Sequence, residues 1–243
     1  MSIITSTLVD VSRPDAALSR WLDRPCIGHV SAPRRLFMQV SQGLIGRADS
    51  RKLVNPTRRL QGLIMRLSKA GYFADFVVYP PIVLALLAYA AVHTGSLSWI
   101  QWSMSCLAGI ATWTLLEYII HRAILHRVRF FADMHDMHHD SPADLVGSPT
   151  WLSLGIIGLG VLLPLWWETS FDVASGVTAG LILGYLWYVT VHHAIHHWNP
   201  SAATYLHRAK RRHLVHHYSR QPCNFGVTTG FWDLVFGTIR RTR

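Results

Sequence analysis

Lysine and arginine are absent from two long apolar stretches of the chain, residues 74–120 and 151–191. All 23 cationic side chains fall in the three remaining segments, 1–73, 121–150 and 192–243. Each cation-free block is long enough for two membrane crossings at about 20 residues per helix, with a short turn between them. The polar breaks HTGSLS (93–98) and ETSFD (168–172) divide the blocks. They predict four spans near 76–92, 99–120, 151–167 and 173–191. The expected fold is therefore an all-α integral membrane protein, with four transmembrane helices in two hairpins. Loops rich in lysine and arginine stay on the cytoplasmic side, which places both termini and the middle loop there. The membrane in question is a bacterial inner membrane or the endoplasmic reticulum.

Composition agrees with that reading. Half of the 243 residues are hydrophobic, only 15% are charged, ten are tryptophan, and the mean hydropathy is +0.23. Such a chain is too apolar for an ordinary soluble domain. A net charge of +10 raises nucleic acid as a partner, but the cations follow the membrane topology, so no nucleic acid is expected. Cys26, Cys106 and Cys223 are odd in number and widely spaced, which implies neither a disulfide framework nor a thiolate zinc site. They read as free thiols in a reducing compartment. The first thirty residues lack the apolar core of a signal peptide.

Residues 1–73 form a separate cytoplasmic N-terminal region, and residues 74–243 the membrane domain. Pro14, Pro25, Pro33 and Pro56 interrupt the N-terminal region. Leu60, Leu63, Ile64 and Leu67 recur at helical spacing, with Arg58, Arg59, Arg66 and Lys69 on other positions. This pattern predicts a basic amphipathic helix near 57–73, lying on anionic lipid or packed on the rest of the domain. In the spans, Pro80, Pro81 and Pro164 mark tolerable kinks. Gly176, Gly180 and Gly184 form a G-x-x-x-G ladder that lets another helix approach closely.

The chemistry lies in the histidines. Of 15, 13 fall in two segments, 121–139 and 192–217, both on the predicted cytoplasmic face. H-D-M-H-H (135–139) and H-L-V-H-H (213–217) repeat one arrangement, and i, i+3 and i, i+4 spacings put imidazoles on one helical face. His192 with His196, and His193 with His197, form two further pairs rotated by one residue. His121 and His126 are five apart, about 140° around an ideal helix, so sharing an ion requires the helix to end or bend between them. His29, His93 and His207 read as ordinary surface residues. A tetrahedral zinc site uses four ligands, so about ten histidines call for two ions. Neither the E-x-x-H di-iron bundle pattern nor H-E-x-x-H is present. Glu117, four residues before His121, is either an acceptor for that ring's second hydrogen or an interfacial carboxylate without that role. Asp136 and Asp140 lie among the histidines and are expected to orient them in the same way, and none of the three acids is counted as a ligand.

EYIIHRAILH, HDMHH, HHAIHH and RRHLVHH, followed by NFGVTTGFWDLVFGT (224–238), resemble the fatty acid hydroxylase and sterol desaturase superfamily, particularly its fatty acid hydroxylase branch. The resemblance covers about residues 75–240. It implies a metal site on a cytoplasmic helical cap, held by His121, His126, His135, His138, His139, His192, His196, His213, His216 and His217. The third pair's register stays open, because His193 and His197 fit the same spacing. The resemblance also implies two iron ions, which zinc can replace in a purified sample, together with dioxygen. Electrons would come from NAD(P)H through an external carrier, a cytochrome b5 or ferredoxin, since the H-P-G-G haem signature is absent from this sequence.

The implied activity is hydroxylation of a membrane lipid, in its acyl chain or another part. Breaking an unactivated carbon–hydrogen bond needs a redox-active centre, which zinc is not, and imidazole suits iron. Trp113, Tyr118, Trp151, Trp187 and Tyr188 either line a channel for the apolar chain or serve as interfacial anchors and packing. The enzyme alternative is desaturation or methyl oxidation of a sterol-like lipid. A histidine-rich metal transporter is the weaker alternative, because the predicted spans have almost no polar ligands away from their ends.

Overall fold

The structure, a computed structural model, describes residues 66–93 and 96–240. Helix α1 (Lys69–His93) is followed by α2 (Ser96–Ile119), which runs into a π-helical turn, Ile120–Leu125. Helix α3 (Arg129–Asp140) follows, and then α4 (Thr150–Ile157), a second π-helical turn (Gly158–Leu162) and α5 (Leu163–Glu168), which together make one apolar rod. Helix α6 (Phe171–His197) is the longest, and α7 (Tyr205–Tyr218) and α8 (Phe231–Val235) complete the chain.

Four helical segments are long and apolar enough to cross a bilayer, Lys69–His93, Ser98–Leu125, Thr150–Glu168 and Phe171–His197. The chain is thus a multi-pass membrane protein. Each observed helix contains its predicted span and overruns it, because a helix continues past the hydrocarbon wherever other parts of the protein cover its end. Two consequences matter. Asp75 falls inside the first helix, and α6 carries four histidines in its last turns. Of the amphipathic helix expected over 57–73, residues 57–65 lie outside the described residues. Arg66 instead bridges antiparallel to Val146 and pairs with Asp144 at 2.6 Å, while Leu67 N donates to the Leu145 carbonyl at 3.0 Å. Lys69–Phe73 then begin α1.

Local chemistry explains the boundaries. The Ser170 hydroxyl accepts from Val173 N at 3.3 Å and Asp172 sits in the first turn of α6, capping its positive end. Thr204 does the same for α7 through His207 N at 3.2 Å. Pro164 has no N–H to donate to the carbonyl of Gly160 and its ring crowds that oxygen. The π-helical turn Gly158–Leu162 contains Gly160 and absorbs the defect.

Helices α2 and α6 pack along the glycine ladder. A Cβ on Gly180 would collide with the Cys106 carbonyl oxygen, and one on Gly109 with the Val177 carbonyl oxygen. At Gly176 it would lie 2.7 Å from the Trp102 carbonyl oxygen, and at Gly184 2.5 Å from Trp113 Cβ. Backbone therefore touches backbone, which is how helices gain contact in lipid, where apolar burial drives nothing. Exposed Val77, Leu84, Ile100, Leu107, Leu159 and Trp167 face outward, as lipid-facing side chains do.

Above the spans, α3, α7 and residues 219–240 form a helical cap. Val191 and Ile195 of α6 pack on Ala209 of α7 and on Val227, seating the cap on the last turns of the fourth span. Replacing Gly180 with valine should push α2 from α6 and cost roughly 1–3 kcal/mol or more. Unfolding titrations in mixed micelles, against Gly155→Val where a Cβ meets nothing within 4 Å, measure the difference.

Candidate metal centre

The cap and the upper turns of α2 and α6 bring imidazole nitrogens together in two groups. One contains His121, His126, His135 and His216, the other His138, His192, His196 and His213, and within each group one ligand atom per residue lies within 4.8 Å of the others. His139 joins the first group, its Nε2 lying 3.0 Å from His135 Nε2 and 3.1 Å from His216 Nε2. His217 joins the second, with its Nε2 2.9 Å from His213 Nε2. The rings of His139 and His217 stack face to face at 4.2 Å between the groups.

The two H-x-x-H-H repeats are divided crosswise. In each, the first and last histidines serve one group and the middle one serves the other. His135 and His139 of α3 therefore meet His216 of α7, and His213 and His217 of α7 meet His138 of α3. Each group is completed by a pair from a span, His121 with His126 or His192 with His196. Neither repeat alone makes a site.

The five-residue gap between His121 and His126 is closed by the π-helical turn Ile120–Leu125, whose wider i→i+5 bonding rotates the two rings into a stack at 5.3 Å and 23°. His126 sits at the end of that turn. In the third pair the structure turns His192 and His196 inward and leaves His193 and His197 stacked on each other at 4.3 Å and 25°, with Tyr72 hydroxyl 3.2 Å from His193 Nδ1. The converging i, i+4 pairs are edge-to-face, with interplanar angles of 70–85°.

Hydrogen bonding alone does not satisfy this arrangement. His121 Nδ1 lies 2.5 Å from the Phe225 carbonyl and His216 Nδ1 2.8 Å from the Cys223 carbonyl. A carbonyl only accepts, so both rings carry their proton on Nδ1 and present a bare lone pair at Nε2. His135 can then donate to His121 across 3.0 Å and His139 to His216. The 3.0 Å contact between His135 Nε2 and His139 Nε2 then sets two N–H groups against each other. In the second group His138 Nε2 is buried with no hydrogen-bond partner. A cation resolves both conflicts. Two nitrogens bound to one ion at about 2.0–2.1 Å, with angles between 90° and tetrahedral, lie roughly 2.9–3.4 Å apart. The close Nε2 contacts measure 2.9–3.2 Å. The donor set thus fits two ions.

Electrostatics favours the metal-binding form. Burial, reinforced by neighbouring His139, pushes the His126 imidazolium down to about 4, and burial with neighbouring His196 pushes His138 down to about 3. Burial, and after it the other histidines, holds His135, His213 and His216 well below their usual range. All are neutral at pH 7, as metal ligation requires.

A polar lock in the closing segment aims the two carbonyls. Asp233 accepts from Phe225 N and Gly226 N, each at 2.8 Å, and from the Thr238 hydroxyl at 2.7 Å. Burial raises its carboxyl, and these donors with Arg212 oppose the shift. Asn224 adopts the left-handed conformation (φ 53°), and its amide bonds both backbone groups of Arg240. A Cβ at Gly226 would strike the Thr229 carbonyl, so glycine is required there. Glu117 does not reach His121. It accepts from Val227 N at 2.6 Å, Thr228 N at 2.9 Å and the Thr228 hydroxyl at 2.5 Å, holding the loop whose Phe225 carbonyl orients His121. Asp136 and Asp140 are exposed and act on His139 through their charge alone. Side-chain pattern gives no sign of the Cys223 and Phe225 carbonyls. Their signal is the segment NFGVTTGFWDLVFGT, whose asparagine, glycine and aspartate all serve the lock.

A sequence model of the fatty acid hydroxylase family matches residues 106–238. The chain is 32% identical over 183 residues to a dihydroceramide fatty acyl 2-hydroxylase of Arabidopsis thaliana, covering 71% of this chain and 75% of that one. It is 28% identical over 210 residues to human fatty acid 2-hydroxylase, covering 73% and 55% of the two. A ceramide very long chain fatty acid hydroxylase of Saccharomyces cerevisiae is 31% identical over 189 residues, covering 71% and 46%. The chain thus spans about half the length of the human and yeast relatives. The solved structure of full-length scs7p, of which only the hydroxylase domain is visible, superposes with a TM-score of 0.62 and 26% identity, over 74% of this chain and 69% of that one.

Replacing Glu117 with glutamine puts an N–H₂ where Thr228 needs an acceptor. Metal retention against a chelator should fall roughly tenfold, the lower end of the range for groups that orient ligands. Metal analysis after dialysis checks this, with His193→Ala expected to retain both ions.

Proposed function

Because the chain belongs to the fatty acid hydroxylase family, we propose that it inserts one oxygen atom into the acyl chain of a membrane lipid, at two iron ions held by the ten converging histidines. The observation that carries this reading is the pair of five-imidazole groups at the cap-side mouth of four bilayer-spanning helices. Bound iron would supply the redox chemistry needed to oxidise an unactivated carbon–hydrogen bond with dioxygen, and zinc can take the same nitrogens in a purified sample.

The chain's own residues supply position and insulation. His121, His126, His135, His139 and His216 would hold one ion, and His138, His192, His196, His213 and His217 the other. The Phe225 and Cys223 carbonyls orient His121 and His216, and the stacked His139 and His217 keep the two sites adjacent. The spans deliver an apolar substrate from the bilayer without passing it through water. The relatives' names point to the carbon next to the acyl carbonyl and to an amide-linked acyl chain, and they favour acyl hydroxylation over sterol oxidation.

Two electrons per turnover, which with two protons would reduce the second oxygen atom of dioxygen to water, would come from a separate carrier, a cytochrome b5 or ferredoxin reduced by NAD(P)H. The cationic segments border the cap, so the positive-inside bias puts the histidines on the cytoplasmic side.

Lipid mass spectrometry of cells expressing the chain should reveal acyl lipids heavier by one oxygen, and His138→Ala should abolish them. Lipids lighter by two hydrogens would indicate desaturation. Unchanged lipids, with iron bound and a working donor present, would overturn both.

A further inference from the structure

A carboxyl group inside the first span is costly in lipid and by default marks a function. Asp75 is such a group, 7% exposed, in the second turn of α1. Its Oδ2 accepts from the Tyr185 hydroxyl of α6 at 2.5 Å, whereas Oδ1 is buried and has no hydrogen-bond partner. Tying α1 to a neighbour does not need a carboxyl. One turn further along, Tyr79 donates to Ser153 at 2.8 Å and ties α1 to α4 with neutral groups. A helix tie uses one oxygen, and Asp75 offers a second.

The surroundings point toward the metal centre. Tyr185 precedes His192 by two helical turns on one face, and the Tyr188 ring between them stacks on His192 at 5.7 Å and 10°. Trp113 of α2 packs edge-on against Tyr185 at 5.2 Å and lies 6.0 Å from Tyr188. Its Nε1 is also buried without an acceptor. An orphan acceptor and an orphan donor therefore flank Tyr185, and the Tyr188 layer separates them from the second imidazole group. Hydrocarbon satisfies neither atom.

We propose that Asp75 and Trp113 seat the polar backbone of the lipid substrate, Asp75 Oδ1 accepting from a hydroxyl or amide N–H and Trp113 Nε1 donating to a hydroxyl oxygen. The assignment rests on the lipid-hydroxylase reading and adds the residues that position the substrate. Both are positioning residues, for they touch no reacting carbon. A lipid held there runs its acyl carbonyl and the carbon next to it along Tyr188 toward His192.

The test compares an N-acylated long-chain amino alcohol with its O-methyl and N-methyl forms, in which one donor at a time is capped. Asp75→Asn keeps an acceptor for Tyr185 but presents N–H₂ in place of Oδ1. It should raise KM about tenfold for the uncapped lipid, the loss expected for one buried hydrogen bond. KM for the form whose capped donor is the one Asp75 binds should stay unchanged, as should kcat, metal content and the unfolding midpoint. Asp75→Glu should recover much of the loss, and Trp113→Phe should raise KM for all three lipids. An equal effect of Asp75→Asn on all three lipids, or no effect, overturns the seat and leaves a helix tie. Equilibrium binding of the same lipids to the metal-loaded protein in micelles separates the two readings. Binding that Asp75→Asn weakens selectively, without oxidation, sinks the hydroxylase reading and keeps the seat. Oxidation that Asp75→Asn leaves intact does the reverse.

Discussion

Imidazole nitrogens facing one another at about hydrogen-bond distance, whose protons cannot be placed so that every contact is paired, are the constraint on which the rest of this structure depends. His121 and His216 are committed as acceptors by the carbonyls behind them, so the nitrogens between them cannot all pair. A buried polar atom left unmatched costs about 1–3 kcal/mol, and a cation in each group removes the conflict between His135 and His139 in one and the orphaned His138 Nε2 in the other. The cap, the π-helical turn and the closing segment all serve to hold that convergence. Metal binding here is therefore also part of what stabilises the cap.

Much of the surrounding structure acts at one remove. Glu117 and Asp233 touch no ligand, yet between them they bind the backbone of Phe225, Gly226, Val227 and Thr228. Those bonds fix the direction of one carbonyl, and that carbonyl decides which nitrogen of His121 carries the proton. The path from the Asp233 carboxylate through Phe225 to the tautomer of His121 is three residues long and crosses from the cap to the turn that ends the second span. It explains why a segment without histidines accompanies the histidine motifs in the sequence.

The membrane part answers to a different force. Lipid gives helices no apolar reason to associate, so α2 and α6 meet through Gly109, Gly176, Gly180 and Gly184, where backbones touch. That close approach aligns the ends of the second and fourth spans, which bear His121 with His126 and His192 with His196. A cap built from α3 and α7 bridges two fixed posts. The crosswise sharing of the H-x-x-H-H repeats follows, since each cap helix must serve both posts.

The number of spans, the polar turns between them and the gathering of the histidine segments at one end of the spans were legible in the sequence, because solvation by lipid acts on composition, which a linear chain displays directly. The resemblance carried the membership of the ten-histidine set, and helical periodicity made its pairs visible, since i, i+4 spacing is a local property. Only the tertiary structure decided the rest. It placed His192 and His196 inside rather than His193 and His197, because the choice depends on how α6 is rotated against α7. It closed the gap from His121 to His126 with a π-helical turn, and it sent Glu117 to Thr228 instead of to the ligand four residues away. It put Asp75 within a helix longer than its apolar core. Each of these turns on which groups from distant parts of the chain compete for one hydrogen bond or one face, and no local pattern records that competition.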